Sequence, residues 1–213
     1  FDLRWPIPFN LDRLLINSEV LLIKRRSKFI LIEFSNKLTL ILHLGMSGRI
    51  ILHDKIKIKN KRENLVKFFK NYHIPDKHDH IIFHFENHKI IYNDVRRFGA
   101  IDVVNSEKVS EHKWLKFLGP EPLSDDLSLE YLYELFKKKS LNIKNAIMDQ
   151  KNISGIGNIY ACETLWLAGI SPLKSVQKIN KKKLKKLINS IKIVLVDAIN
   201  AGGSSLKDFK NVS

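Results

Sequence analysis

The sequence predicts an α+β fold, with an antiparallel β-sandwich or barrel in the first half and helices in the second. Three observations predict it. Apolar residues alternate with period two in several short runs of the first half. The stretch Gly119-Pro120-Glu121-Pro122-Leu123-Ser124-Asp125-Asp126 concentrates turn residues at mid-chain. Beyond it Leu184, Leu187, Ile188, Ile191, Val194, Leu195 and Ala198 recur at helical spacing. The expected division is a β domain over 1–110 and a helical domain over 111–213.

In the β half, residues 28–34 (KFILIEF) form an apolar run of strand length. Between 37 and 44, Leu38, Leu40, Leu42 and Leu44 alternate with Thr39, Ile41 and His43, the pattern of a strand with one buried face. Residues 80–86 repeat it with Ile81, Phe83 and Phe85, and Asn87-His88 turns the chain into a partner over 89–92. A further strand is expected over 98–104. Residues 54–77 are rich in Lys and Asn and read as a long basic loop, either functional or a solvated excursion, with a short helix around 65–69. In the second half, helices are expected over 128–138 and 143–149. Another runs from the Gly155-Ile156-Gly157-Asn158 punctuation to Gly169, with Pro172 just beyond. The last begins after Asn180 and stops at Gly202-Gly203.

Composition narrows the partners. The chain has 213 residues, 44% hydrophobic and 28% charged, ordinary for a globular protein and against wholesale disorder. The 37 Lys+Arg against 22 Asp+Glu leave a formal charge of +15, which favours a polyanion such as nucleic acid or an anionic membrane surface. A single cysteine, Cys162, excludes an intrachain disulfide and a four-cysteine zinc site within these residues, and inside a helix it is expected to be a small core residue. It also suggests a reducing compartment. No apolar run approaches the ~18 residues of a membrane-spanning helix, and no signal peptide is visible at the start.

Four segments could carry chemistry. The turn before Asn158 would present backbone N–H groups at a helix start, a ready site for phosphate, or the two glycines simply satisfy a turn. Arg96-Arg97-Phe98 combines cations with an aromatic that can stack on bases, or it is a charged edge strand. Met46, at the tip of the glycine-flanked turn 43–49, is either an exposed wedge that unstacks base pairs or a filler of a core gap. Lys28, at the edge of a buried strand, is a candidate for proton transfer through a depressed pKa, or belongs to an exposed basic cluster with Arg25 and Arg26.

These segments recur in one order with others: LRWPIP (3–8), KRRSKFILIEF (24–34), HLGMSGRI (43–50), KHDH (77–80), DVRRFGA (94–100), LGPEPLSDD (118–126), ISGIGNIYACETLWLAGISP (153–172) and GGSSLKDF (202–209). Together they resemble the formamidopyrimidine-DNA glycosylases, bacterial base-excision enzymes for oxidised purines. The resemblance spans nearly the whole chain. It implies an N-terminal antiparallel β-sandwich followed by a helix–two-turn–helix helical domain, with damaged double-stranded DNA as the partner. A monomer acting on DNA in the bacterial cytoplasm, without a membrane, is expected.

The resemblance also assigns roles. A flipped base leaves a void in the duplex. Met46, Arg96 and Phe98 match the residues that fill it, with Arg96 facing the orphaned cytosine and Phe98 wedging the stack. Lys28 matches the lysine assigned to β-elimination. His78, Arg96 and Lys139 match DNA-binding positions, Asn158 the asparagine that grips a phosphate, and Lys144 a lysine tied to recognition of the damaged base. The implied activity is DNA-formamidopyrimidine glycosylase with lyase cleavage at the abasic site. The family's proline amine attacks the sugar and forms a Schiff base.

The chain departs from the pattern at its ends. It starts inside the family's first domain, without the proline nucleophile and its glutamate, and stops where a four-cysteine Zn2+ finger would begin. The expectation is a fragment that binds DNA without glycosylase activity and holds no zinc itself. A catalytically dead damage-binding module and an endonuclease VIII-type enzyme are the alternatives; HLGMSG and DVRRFG favour the purine enzyme.

Overall fold

The computed structural model describes residues 3–54 and 76–203. The expected basic loop and the helix around 65–69 lie almost wholly outside these residues, as does most of 202–209. The chain divides into two compact units, Phe1–His112 and Lys113–Ser213.

The first unit opens with a short helix α1 (Leu11–Leu15) and continues with seven strands: β1 (Val20–Arg26), β2 (Phe29–Phe34), β3 (Leu38–His43), β4 (Gly48–Asp54), β5 (Asp79–His84), β6 (His88–Asp94) and β7 (Ala100–Asn105). A 3-10 turn, Ser106–Glu111, follows. One antiparallel sheet has the order β1-β2-β3-β7 and a second the order β4-β6-β5. They face one another. Ile30, Ile32 and Phe34 of β2, Leu40 and Leu42 of β3, and Ile101 and Val103 of β7 share a core with Ile50 of β4, Ile81 and Phe83 of β5 and Tyr92 of β6. Alternate positions along each strand therefore point into one sandwich.

Several boundaries differ from expectation for physical reasons. β3 is buried from Thr39 to Leu42, so its alternation marks two covered faces rather than one wet face. β7 begins at Ala100, not Phe98, because residues 95–99 form a loop in which Arg97 takes a left-handed φ of 56°. Arg96-Arg97-Phe98 is therefore not an edge strand. Arg25 and Arg26 belong to β1, whose VLLIKRR sequence has no alternation to announce a strand. The 80–92 hairpin forms with longer arms, closed by Phe85 N–H donating to the His88 carbonyl at 2.9 Å.

The second unit contains α2 (Leu129–Lys137), α3 (Ile143–Met148), α4 (Asn158–Ala168) and α5 (Lys181–Asn200). Ser128, Asn142 and Asn180 cap α2, α3 and α5 by accepting from the N–H groups of Tyr131, Asn145 and Lys183. Gly169 ends α4 in the left-handed region, φ 65°. The stripe Leu184, Leu187, Ile188 and Ile191 of α5 packs with Leu132 and Phe136 of α2, Ile143, Ala146 and Ile147 of α3, and Ala161 and Leu165 of α4. Among the described residues no helix is long and apolar enough to cross a membrane.

Candidate nucleic-acid interface

In the first unit, two loops meet. The β3–β4 loop carries Met46 and the β6–β7 loop carries Arg96 and Phe98. Met46 is 69% exposed and Phe98 42%, so neither fills the core. The Arg96 guanidinium lies 4.5 Å from the centroid of the Phe98 ring. The loops touch through backbone: a Cβ on Gly45, whose φ is +64°, would come within 2.6 Å of the Phe98 carbonyl carbon. Glycine is required there by both space and conformation.

The residue joining the loops is Asp94, fully buried at the end of β6. Its Oδ1 accepts the Ser47 hydroxyl at 2.5 Å and the Arg96 N–H at 3.3 Å, and its Oδ2 accepts the Gly99 N–H at 2.8 Å. Ser47 Oγ also accepts the Arg96 N–H, at 3.1 Å. Neither Asp94 nor Ser47 stood out in the sequence. An aspartate two residues before a paired arginine was the available signal.

Lys28 occupies the tight turn between β1 and β2, after Ser27 at a left-handed φ of 55°. Its side chain reaches the surface, yet the protein mass around its ammonium lowers its pKa below the ordinary lysine value. His43, at the end of β3, has its pKa lowered by burial, then by Lys28, then by Arg4. Its Nδ1 accepts the Gly45 N–H at 3.1 Å, so the neutral ring supports the Met46 loop. The Tyr92 hydroxyl donates to the His43 carbonyl at 3.0 Å; burial and the Asp94 charge push that phenol up. Three chain segments thus converge on the base of the loops, bringing Lys28 close to them.

His78 sits on the other side of Asp94. Its carbonyl accepts the Asp94 N–H at 3.0 Å, and its N–H donates to Asp76 Oδ1 at 2.6 Å. Its Nδ1 is buried without a hydrogen-bond partner among the described residues. His80 Nε2 donates to the Asp94 carbonyl at 2.9 Å. Both histidines of the KHDH segment therefore brace the strand end that carries Asp94.

In the second unit, residues 149–157 connect α3 to α4. Gln150 organises this connection: its amide donates to the carbonyls of Met148 (2.8 Å) and Ile156 (2.9 Å), and its Oε1 accepts the Gly155 N–H at 2.8 Å. Gly155 has φ +83°. The Gly155 N–H is thus committed internally. The start of α4 has no side-chain cap, unlike the other helices of this unit, and Asn158 stands exposed on its first turn. Orphan N–H groups there suit an anion.

Lys139 Nζ donates to Asn152 Oδ1 at 2.5 Å and lies 3.8 Å from Asp149 Oδ2. Asn152 is buried, with Nδ2 donating to the Ala146 carbonyl and its own carbonyl accepting from the Tyr131 hydroxyl. Lys139 is therefore a positioned cation, not a free surface lysine. Lys144 lines an apolar depression with Cys162, Leu165 and Trp166 of α4. Cys162 is exposed rather than a core residue, contrary to expectation, because it falls on the outer side of α4 from Ala161 and Leu165. Among the described residues no three His, Cys, Asp or Glu side chains gather around a metal position. A four-cysteine zinc site does not fit a sequence with one cysteine.

These two units match known domains. Residues 1–101 match the formamidopyrimidine-DNA glycosylase N-terminal domain and residues 118–210 the formamidopyrimidine-DNA glycosylase H2TH domain. The formamidopyrimidine-DNA glycosylase of Roseobacter denitrificans is 42% identical over 210 residues, covering 98% of this chain and 71% of the relative. Among solved structures, the Lactococcus lactis Fpg in complex with abasic-site DNA superimposes with a TM-score of 0.79. It is 31% identical and covers 92% of this chain and 67% of its own. The same enzyme with FAPY-dG-containing DNA gives 0.79 at 31% identity, covering 93% and 69%.

The pairing of such a β domain with an H2TH domain defines a class, the DNA-repair glycosylases. Within that class, the chain belongs to the formamidopyrimidine-DNA glycosylase family.

Proposed function

We propose that this chain binds damaged duplex DNA and serves the excision of oxidised purines paired with cytosine, with lyase cleavage of the resulting abasic site. One observation carries the reading: three exposed side chains, Met46, Arg96 and Phe98, project from two loops locked to each other by Asp94. A base flipped out for chemistry leaves an unpaired partner and an open stack. A guanidinium, a ring and a thioether are the groups to occupy that space: Arg96 donates to the orphaned base, Phe98 wedges between base pairs, and Met46 fills apolar volume.

The other residues hold the backbone. Asn158 and the uncapped start of α4 offer donors to a phosphate, and Lys139 and His78 add contacts from their own units. In the lyase step, the Lys28 ammonium stabilises phosphate charge and donates a proton, for which its lowered pKa suits it. The net charge of +15 draws the chain to DNA before any specific contact forms. Support also comes from the relatives, whose solved complexes contain abasic-site and FAPY-dG DNA.

The test is competition binding on a duplex with a tetrahydrofuran abasic analogue opposite cytosine, against the same duplex undamaged. Preference for the damaged duplex, falling steeply with salt, is expected. Equal affinity for both would refute the reading. Borohydride trapping on an 8-oxoguanine duplex, with this chain and with one extended upstream, then reports where the covalent chemistry resides.

A further inference from the structure

The proposed function uses the exposed side chains of the two loops but leaves Asp94 and Ser47 without a role. Asp94 is buried completely, and burying a carboxylate is costly unless donors satisfy it. Here the donors come from both loops: the Ser47 hydroxyl from one, and the Arg96 and Gly99 N–H groups from the other. Hydrogen bonds to an ionised acceptor are roughly twice as strong as neutral ones. Separating the loops would strip the buried carboxylate of its shortest hydrogen bond, the one from the Ser47 hydroxyl.

Packing closes the same joint. A Cβ on Gly99 would come within 1.6 Å of the Tyr92 hydroxyl and 2.8 Å of the His43 carbonyl oxygen. One on Gly45 would meet the backbone of Phe98 and Gly99 at 2.6 to 2.8 Å. The two loops thus have no slack at their contact. Ser47 ties the two loops through its hydroxyl, which donates to Asp94 while accepting the N–H of Arg96.

We propose that Asp94 and Ser47 are positioning residues. Their clasp fixes Met46 relative to Arg96 and Phe98, and discrimination of the base opposite a lesion depends on it although the Asp94 carboxylate is buried away from any ligand. The inference rests on the function proposed above. Its physical basis is preorganisation: a guanidinium already held over its target loses less entropy on binding than one on a loose loop.

Two measurements test it on the whole chain, using Ser47→Ala, Ser47→Thr and Asp94→Asn. Asp94→Asn places an amide donor against an N–H or hydroxyl donor and endangers the fold, so Ser47→Ala is the primary variant. The first measurement needs no DNA. Hydrogen exchange at the Arg96 amide should accelerate in Ser47→Ala while the Leu40 and Leu42 amides of β3 keep their protection. Ser47→Thr, which retains the hydroxyl, should restore the slow rate. Unchanged Arg96 exchange in Ser47→Ala overturns the clasp.

The second measurement compares Kd for the tetrahydrofuran duplex opposite cytosine with that opposite adenine. Ser47→Ala should lose on the order of tenfold of this ratio, the cost of ordering one long side chain on binding, and Ser47→Thr should recover it. A variant with faster Arg96 exchange but the wild-type ratio overturns the recognition role and leaves the proposed function standing. A wild-type chain that binds the damaged duplex no better than undamaged DNA refutes the proposed function instead, and the exchange rates still decide the clasp by themselves.

Discussion

The Arg96 guanidinium and the Phe98 ring stack on each other at 4.5 Å, two residues apart on a loop whose middle residue, Arg97, holds a left-handed φ. Such a cation–π contact is worth about 0.5–1 kcal/mol at an exposed site. A good bidentate contact from a side chain to a base discriminates by about 1–3 kcal/mol. The stack therefore orders Arg96 without trapping it. An unpaired base can draw the guanidinium away and leave the ring to wedge the stack.

Arg96→Ala is accordingly expected to reduce the preference for cytosine opposite a tetrahydrofuran site by roughly 5- to 150-fold. Phe98→Ala should weaken binding to every opposite base alike. Competition binding across the four opposite bases separates the two. An Arg96→Ala chain that weakens evenly across all four would remove Arg96 from the void-filling role.

Phosphate contacts give a different signature. Lys139→Gln should lower the slope of log K against log salt by about 1, since one fewer counterion is released. Asn158→Ala removes a neutral donor, so the slope should hold while affinity falls by about 1.5–3 kcal/mol on all sequences. Salt titrations of both variants provide the measurement, and a changed slope in Asn158→Ala would contradict the assignment.

Gly99→Ala should be strongly destabilising, because the new methyl meets the Tyr92 hydroxyl and the His43 carbonyl in a region with no space. Overpacking of this kind costs about 1–3 kcal/mol. Adding Tyr92→Phe removes the nearest oxygen and should recover part of the loss. Thermal unfolding of the single and double variants reports that coupling, and strict additivity would show that the hydroxyl is not the obstacle.

His43 predicts a pH dependence. Its folded pKa lies below the ordinary 6.5, from burial first and then the charges of Lys28 and Arg4. The unfolded chain therefore binds more protons in the window between the two values, and stability rises with pH across it. Falling pH takes that stability away and removes the Nδ1 acceptor from the Gly45 N–H. Lys28→Gln should raise the His43 pKa toward 6.5 and narrow the window. NMR titration of the His43 ring with thermal melts between about pH 5 and 7.5 tests this, and an unmoved His43 pKa in Lys28→Gln would exclude the electrostatic link.

The helices were the most legible part of the chain. Asn142 and Asn180 cap helices as their chemistry dictates, and Gly169 ends α4 where a left-handed residue is required. The β half was less legible. β1 has apolar residues on both faces and lacks the one-sided alternation that announces a strand, whereas β3 was legible from its alternation although both of its faces are covered. The exposed positions of Met46, Phe98 and Cys162 were open or misread, because a small or apolar residue looks the same in sequence whether it fills a core or faces water.

By itself, then, the sequence determined the β-then-α order, the basic charge, the helix ends and the motif set that marks the family. Each rests on residue type or on neighbours within a few positions, where backbone preference and side-chain period act. Only the tertiary structure decided that Asp94 would be buried between the loops. Only it, too, seated Lys139 on Asn152 and left Met46 in solvent. Those outcomes depend on contacts between distant residues, such as Ser47 with Asp94 across 47 positions of chain. No local propensity specifies them; they follow from two sheets closing on one core and bringing the ends of β3 and β6 together.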